Sequence, residues 1–304
     1  MSISATMVRD LREKTSAGMM DCKKALEETK GDFDAAVEWL RKKGLASASK
    51  KSDRLASEGL VVSFNNGKTG VLLEVNSETD FVAKNDFFKA FVAEVAQHLA
   101  TTAQLPVDAT ALLEQTWKGG QKVGEALKEA IAKIGENLVI RRFTRFDSAG
   151  VLSSYIHGDG KIGVMVELTT AKTDEAAKTF ASDVCLHIAA MNPLALSSDQ
   201  VPADIVAKEK EIMKAKNLEQ GKKPEMIEKI VEGQIRKFLS ESCLLEQAFV
   251  KNPDLKVKDY MAETGKKIGE AFAIKRYVRF ELGEGLQKKV NNFAEEVAAQ
   301  SKTH

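Results

Sequence analysis

The stretch KIGENLVIRRFTRF, residues 133–146, occurs a second time as KIGEAFAIKRYVRF at residues 267–280. The two stretches are identical at 8 of 14 positions, and the second half of each alternates as a β-strand does. Similarity of this kind indicates an internal repeat, in which one chain builds the same supersecondary unit twice. The duplicated unit therefore decides the fold. We call the unit that ends with residues 133–146 copy one and the unit that ends with residues 267–280 copy two.

Two further blocks of the repeat precede the duplicated stretch. GLVVSFNNGKTGVLLEV at 59–75 and GVLSSYIHGDGKIGVMVEL at 150–168 each place two β-rich runs around a glycine-containing turn, which predicts a hairpin in each copy. A helix is predicted to follow in both, where KAFVAEVAQHLA at 89–100 aligns with KTFASDVCLHIA at 178–189. Each copy is thus predicted to be an α+β sandwich, with an antiparallel sheet and helices on one face.

Each copy has also added residues, and added segments are where a scaffold commonly carries its function. Val75 and Phe91 are 16 positions apart, whereas the matching Leu168 and Phe180 are 12 apart. Copy one therefore carries four extra residues within the run NSETDFVAKNDFF.

The addition in copy two is longer and separates its helix from its closing strand. His98 and Ile134 are 36 positions apart, whereas His187 and Ile268 are 81 apart, so about 45 residues are inserted. Apolar residues recur at helical spacing on either side of a Gly- and Pro-containing break, which predicts an αα-hairpin or short antiparallel coiled coil at 202–245. They are Ile205, Ile212, Met213, Ile227, Ile230, Val231, Ile235 and Phe238. A homodimer through this hairpin is a further expectation.

Residues 4–44 predict three short helices with one apolar stripe each. Gly18 and Gly31 separate the helices, Asp32 or Asp34 can cap the third, and Gly44 follows the basic last turn of that helix. The small polar residues 46–57 then indicate either a linker or a helix held only by its neighbours. The stripes consist of Val8 and Leu11, then Cys22, Ala25 and Leu26, then Val37 and Leu40.

These patterns divide the chain into six segments. A last amphipathic helix is predicted from a stripe that must be buried on the protein itself or on a partner, namely Leu286, Val290, Phe293 and Val297. The predicted segments are the three-helix module with its linker at 1–54, the core N-subdomain at 55–147, the first part of the core C-subdomain at 148–200, the helical hairpin at 201–246, the closing part of the C-subdomain at 247–281 and the C-terminal helical module at 282–304.

The composition predicts an ordinary soluble protein. Of the 304 residues 43% are hydrophobic and 29% are charged, and the net charge of +1 does not favour a polyanionic partner or an anionic membrane. The first residues lack the apolar run of a signal peptide, and no apolar run is long enough for a transmembrane span, so a cytoplasmic protein is expected. Three separated cysteines, Cys22, Cys185 and Cys243, predict reduced thiols rather than disulfides or a zinc site.

No motif predicts catalysis, a cofactor or a metal. The run NNGKTG at 65–70 lacks the first glycine of a P-loop, because position 62 is Val, and Asn66-Gly67 instead suits a tight hairpin turn. Four histidines show no ligand spacing, and the two at equivalent helix positions, His98 and His187, are expected to be packed in the core. A protein that works by contact is favoured over an enzyme.

Several stretches in one order resemble the elongation factor Ts family. They are VRDLREKTSAGMMDCKKALEE at 8–28, TDFVAKN at 79–85, SYIHG at 154–158, VEGQIRKF at 231–238 and the paired KIGE blocks. The resemblance implies a ubiquitin-associated-like (UBA-like) three-helix module, a two-part core, a coiled-coil insertion and a C-terminal helix. It also implies that the partner is elongation factor Tu, engaged without a cofactor, and that binding displaces Mg²⁺ and GDP and stabilises the empty GTPase until GTP binds.

The resemblance also implies the contact residues. Thr79, Asp80, Phe81 and Val82 match the family segment that displaces magnesium, with Phe81 as an exposed wedge. From the residues alone, Phe81 could equally be a core residue together with Phe87, Phe88 and Phe91. Met19 and Met20 match a turn that touches the GTPase, although one core Met with a solvated neighbour is the alternative. His157 matches a family His that faces the partner, or is simply a turn residue.

Parts of the sequence suggest two other classes of protein. An RNA-associated chaperone or replicase-type subunit is suggested by the basic pairs Lys50-Lys51, Arg141-Arg142 and Lys288-Lys289, but the net charge and the lack of interleaved aromatics count against it. An adaptor for ubiquitin-like proteins would explain residues 1–45 and nothing else.

Overall fold

The computed structural model describes residues 3–15 and 17–287. The fold is α+β, as the repeat predicts, with helices at the N-terminus and two small three-stranded sheets. Contacts divide the chain into two compact units. Among the described residues, the first comprises 3–15, 17–61, 73–143 and 281–287, and the second comprises Val62–Leu72 and Thr144–Phe280.

Copy one of the repeat forms a sheet in the order β1-β2-β3. The turn between β1 and β2 is tight, because Asn66 N–H donates to Thr69 O at 3.1 Å and Gly67 takes a φ of +87°. The run NNGKTG is therefore a hairpin turn. The elements of this copy are β1 (Glu58–Asn65), β2 (Thr69–Ser77), α4 (Asp80–Lys84), α5 (Asp86–Thr101), α6 (Ala109–Leu113), α7 (Val123–Ile134) and β3 (Leu138–Asp147).

Copy two repeats the arrangement, with a sheet in the order β4-β5-β8. Strands β4 and β5 are antiparallel, and Tyr155 lies opposite Val164. Helix α8 packs on these strands, and its own Phe180, Val184 and Ile188 are buried in the core. The elements are β4 (Val151–His157), β5 (Ile162–Leu168), α8 (Glu175–Met191), α9 (Ala203–Glu219), α10 (Pro224–Ser242), β6 (Ala248–Phe249), β7 (Asn252–Lys256), α11 (Val257–Ile268) and β8 (Ile274–Glu281).

Three helices precede the sheets: α1 (Ala5–Thr15), α2 (Met19–Glu28) and α3 (Phe33–Ser49). The predicted stripes form their core, and Asp32 caps α3 by accepting a hydrogen bond from Ala35 N–H at 2.9 Å. The expectation that α3 ends at Gly44 was wrong. Helix α3 packs along α7, and a Cβ on Gly44 would lie 2.9 Å from the Cβ of Ala132, so this glycine permits a close helix contact. Because of this packing, α3 continues to Ser49, within the polar stretch at 46–57.

The insertion in copy two is the antiparallel helix pair α9 and α10, as predicted. Buried Ile227, Val231 and Ile235 of α10 pack against Val206 and Met213 of α9. The assignment of Ile212 to the buried stripe was wrong. Its side chain is half exposed, as are those of Leu218 and Met226, because the contact face of α9 passes through Val206 and Met213 instead.

Of the predicted C-terminal module, residues 288–304 with Val290, Phe293 and Val297 lie outside the described residues. The segment boundaries drawn from the sequence stay predictions. Within residues 3–15 and 17–287, no helix combines the length and the apolar character needed to cross a bilayer.

We expect the core of copy two to fold without the hairpin, because copy one closes its sheet without an equivalent insertion. Cys243 and Leu244 are fully buried, and Leu244 N–H donates to Ala195 O at 2.9 Å, so a deletion should stop before them. Replacing 204–240 by a short Gly/Ser linker should preserve the circular dichroism of the sheets and a cooperative melt, since loop closure changes by only ~0.6 kcal/mol per doubling of length. An unfolded deletion protein would assign the hairpin to the core.

Candidate functional site

The segment TDFV lies between β2 and α5 and forms the start of the one-turn helix α4. Its last two residues face opposite ways. The Phe81 side chain is 76% exposed, whereas Val82 is 6% exposed and anchors the turn to the protein. Asp80 is exposed beside Phe81, and Lys84 Nζ lies 6.0 Å from the centre of the Phe81 ring. The four extra residues of copy one therefore present an aromatic side chain to solvent.

The interpretation that Phe81 is a core residue with its three neighbouring phenylalanines was wrong. Phe88 and Phe91 are buried on α5, and Phe87 is partly covered by Lys133, whose Nζ lies 3.9 Å from the ring centre. The four phenylalanine rings differ in exposure because Asn85 interrupts the helix between Phe81 and the other three. Its backbone is extended, with φ −72° and ψ 125°, and its side chain caps α5 by accepting from Phe88 N–H at 3.2 Å, so a new helix begins there.

The backbone of the TDFV segment is held by residues that the sequence analysis did not single out. Glu136 accepts from Thr79 Oγ1 at 2.7 Å and from Thr79 N–H at 3.0 Å. Glu78 accepts from Asn137 N–H at 2.7 Å, and Ser77 Oγ donates to Thr79 O at 2.9 Å. Glu136 is 57 positions from Thr79, and no local sequence pattern joins residues so far apart.

Met19 and Met20 open helix α2, and both are exposed, at 56% and 75%. The alternative that one of them is a core residue was wrong, because Cys22, Ala25 and Leu26 fill the buried face of α2. Flexible, exposed methionines suit adaptable contacts with another protein.

A groove of about 500 Å³ in the first unit brings the methionine turn near helix α5. Gly18, which precedes α2, lines it together with Asp21 of α2 and Phe87 of α5. Lys43 Nζ donates to Asp21 at 2.6 Å across the rim, so these charges pair with each other.

His157 belongs to the second unit and ends strand β4. It is exposed, and its Nδ1 lies 2.9 Å from Tyr155 Oη. The two rings, with Ile162 and Val250, line a pocket of about 270 Å³.

The basic pair Arg141-Arg142 does not form a free cationic surface. Arg141 Nη1 and Arg142 Nε donate to the two oxygens of Glu74 at 2.8 and 2.6 Å, and Gly283 N–H donates to Glu74 Oε1 at 2.9 Å. Burial acts to raise the pKa of Glu74, but the hydrogen bonds from Gly283, Arg141 and Arg142 outweigh it and hold the pKa below its ordinary value. This pairing removes one of the three features that suggested RNA binding.

Copy two contains the equivalent arrangement. Glu167 accepts from Lys275 Nζ at 3.0 Å and from Arg276 Nε at 2.5 Å. Burial acts to raise the pKa of this carboxyl as well, but hydrogen bonds from Ser148, Lys275 and Arg276 hold it below its ordinary value.

His98, His187 and the three cysteines have structural surroundings. His98 Nε2 lies 2.9 Å from Gln115 Oε1, and His187 Nε2 lies 2.9 Å from Gln247 Oε1, so the repeat conserves a His–Gln pair. Burial lowers the pKa of His187, and the hydrogen bond to Gln247 opposes the shift. All three cysteines are free and buried. Among the described residues no three His, Cys, Asp or Glu side chains are grouped to hold a metal ion.

Comparison with known proteins points to one family. A family model described as Elongation factor TS matches residues 78–284. The chain is 60% identical to Elongation factor Ts of Bdellovibrio bacteriovorus, over 100% of both chains. It is 52% identical to Elongation factor Ts of Syntrophotalea carbinolica, over 99% of this chain and 100% of the relative. It is 49% identical to Elongation factor Ts of Trichlorobacter lovleyi, over 98% of both.

Proposed function

The chain belongs to the elongation factor Ts family and is thus an elongation factor of translation, and from that premise we propose that it is the guanine-nucleotide exchange factor for elongation factor Tu. It binds the GDP-loaded GTPase, displaces Mg²⁺ and GDP, and stabilises the empty form until GTP binds. The factor itself makes and breaks no covalent bond and needs no cofactor. The cytoplasm, where translation occurs, is the compartment that this function implies.

The energy of exchange must come from contacts that favour the empty GTPase. A nucleotide held at nanomolar strength is bound by ~12 kcal/mol, and releasing it ten-thousandfold faster requires about 5.5 kcal/mol of differential stabilisation. Linkage makes the effect reciprocal, so GDP or GTP must weaken the binding of the factor by as much as the factor weakens theirs. This reciprocity allows the factor to leave once GTP has bound.

The exposed ring of Phe81 is the observation that carries this proposal. An exposed aromatic side chain on a fixed turn can enter a gap in a partner without first leaving a core of its own. Magnesium tolerates little departure from octahedral geometry at ~2.0 to 2.1 Å, so a ring inserted near the metal would disturb its coordination. Asp80, exposed beside the ring, would compete for local hydrogen-bond donors, and Thr79 and Val82 hold the turn in place.

The other exposed residues named above are proposed as further, separate contacts with the GTPase. Met19 and Met20 would pack on the GTPase from the first unit, and His157 would face it from the second. The UBA-like module at 1–54 and the coiled-coil hairpin follow from the same family membership. A homodimer through the hairpin stays a prediction, with half-exposed Ile212, Leu218 and Met226 as its contact residues.

The direct test of the function follows release of labelled GDP from elongation factor Tu after mixing with the protein. Release should accelerate by orders of magnitude, saturate with factor concentration and need only substoichiometric factor in the presence of GTP. Unchanged release at micromolar concentrations of factor would contradict the proposed function.

Replacing both methionines, Met19→Ala with Met20→Ala, should weaken binding to elongation factor Tu about tenfold, ~1.4 kcal/mol. The melting temperature should change little, because both side chains are mainly in solvent. Calorimetric titration against nucleotide-free Tu measures the affinity. Met191→Ala removes an exposed methionine elsewhere and serves as the control. A lower melting temperature with unaltered affinity would instead assign the pair to the fold.

A further inference from the structure

The helix that carries Phe81 is too short to hold its own orientation. Helix α4 has five residues, and isolated helices of that length do not persist in water. Its position therefore depends on what holds its ends and its buried side. Val82 is buried on one side, and Asn85 starts the next helix at the C-terminal end.

The N-terminal end of α4 is held by a crossed pair of hydrogen-bonded contacts. The Glu136 carboxylate binds the backbone N–H and the hydroxyl of Thr79, while the Glu78 carboxylate binds the backbone N–H of Asn137. Each of the two chain segments thus offers a carboxylate to the backbone of the other. Asn137 is itself anchored, because its Nδ2 donates to Arg54 O at 2.8 Å and to Ser52 O at 3.2 Å.

Backbone geometry brings Glu136 to this position. Helix α7 ends at Ile134, and Gly135 follows with a φ of +89°, in the left-handed region that favours glycine. The helix ends there, and Glu136 and Asn137 form hydrogen bonds with residues 79 and 78 directly. Both carboxylate oxygens of Glu136 are used on one residue, which fixes the direction of the backbone entering α4.

We propose that Glu136 is a positioning residue for nucleotide exchange, which keeps helix α4 in the orientation that presents Phe81 to the GTPase. The proposal rests on the proposed function of Phe81 and assigns to Glu136 no contact with the partner. Without the carboxylate, α4 samples other orientations, and binding to the GTPase then costs the conformational entropy of ordering it again. Exchange then slows although the ring is still present.

The second copy supplies a matched control. Glu270 occupies the equivalent place, after helix α11 and Gly269 with a φ of +67°, but copy two lacks the TDFV addition. There Thr169 and Ala273 exchange hydrogen bonds at 2.9 Å, and Lys172 Nζ donates to Ile268 O at 2.7 Å. Removing the Glu270 carboxylate changes the same sequence block without touching α4.

The test compares Glu136→Ala and Glu136→Gln with the control Glu270→Ala. GDP release from elongation factor Tu is measured over a range of factor concentrations, and hydrogen–deuterium exchange of residues 79–84 is measured in the free protein. Glu136→Ala should speed deuterium uptake at these residues and lower the slope of release against factor concentration about ten- to a hundredfold, as loss of a charge-assisted hydrogen bond predicts. Glu136→Gln keeps one acceptor oxygen, so its deuterium uptake and its release slope should lie between those of the wild type and of Glu136→Ala. Glu270→Ala should match the wild type in both measurements.

A double-mutant cycle with Phe81→Ala separates this proposal from the proposed function. If Glu136 acts through Phe81, Glu136→Ala should cost little more once the ring is gone. An equal loss in both backgrounds would overturn the positioning role, as would unchanged deuterium uptake or an equal effect of Glu270→Ala. An unchanged rate of GDP release with Phe81→Ala alone would instead contradict the proposed role of Phe81 in exchange. In that case, deuterium uptake would still show whether Glu136 holds α4.

Discussion

Phe81→Ala should lower factor-stimulated GDP release about 30-fold or more, the effect of losing an interface side chain worth ~2 kcal/mol or more. The ring is 76% exposed, so its removal should change the free energy of unfolding by no more than about 0.5 kcal/mol. The double variant Asp80→Ala with Phe81→Ala should lose most of the stimulation. Stopped-flow fluorescence of labelled GDP measures the rate, and circular dichroism checks the fold.

Removal of magnesium should show where the ring acts. If Phe81 works by disturbing metal coordination, chelating Mg²⁺ removes the barrier that the ring lowers, and wild type and Phe81→Ala should then release GDP at similar rates. Val107→Ala, which shortens an exposed apolar side chain outside the segment, should behave as the wild type in both conditions. If the Asp80→Ala/Phe81→Ala protein folds correctly and still stimulates GDP release at the full rate, the hypothesis that Phe81 disturbs magnesium coordination is wrong.

Glu74→Gln should destabilise the protein by about 3 to 5 kcal/mol at pH 7, the cost of removing one partner of a buried ion pair. Glu74 is 0% exposed, and both of its oxygens accept hydrogen bonds from arginines. Glutamine offers only one oxygen and turns an N–H₂ group toward cationic donors. Urea unfolding followed by circular dichroism measures the change in free energy.

The pH dependence of that difference follows from the lowered pKa of Glu74. A carboxyl whose folded pKa is depressed contributes stability that is present above its unfolded pKa of about 4.3 and is lost as the pH falls through the folded pKa. Wild type and Glu74→Gln should therefore differ most near neutral pH and converge below about pH 4. A constant difference at all pH values would show that packing, rather than charge, sets the effect.

Two other carboxylates test whether burial sets the size of the effect at Glu74. Glu167→Gln should cost less, because its partners Lys275 and Arg276 are more exposed than the arginines around Glu74, and solvent screens the pair. Glu114→Gln should change stability little, since Glu114 is 69% exposed where it contacts Lys122. An effect at Glu114 as large as that at Glu74 would mean that burial does not decide the contribution.

Much of the fold was determined by local features of the sequence. The repeat predicted two copies of hairpin, helix and closing strand, and the structure contains both sheets in the same strand order. Asn66-Gly67 predicted the hairpin turn, and a cap for α3 was predicted at Asp32 or Asp34, of which the structure has Asp32. Such features are readable because helix periodicity, caps and turns depend on residues within a few positions of one another.

Comparison of the two copies also indicated a candidate site from sequence, since the four extra residues of copy one lie within NSETDFVAKNDFF, the run that contains TDFV. The exposure of Phe81 was not determined by the sequence, because four phenylalanines within eleven positions fit one apolar stripe as well as they fit two separate faces. Asn85 ends the first short helix and caps the second, and this break leaves one ring in solvent.

Only the tertiary structure decided which residues support the site and which charges are free. Thr79 meets Glu136 across 57 positions, Glu74 meets Arg142 across 68, and helix α3 continues past Gly44 because α7 lies against it. Contacts of this kind depend on strand register and helix packing, which bring distant residues together after the chain has folded. Local periodicity specifies each element and its buried face, whereas the partner that each face meets is set by how the elements pack.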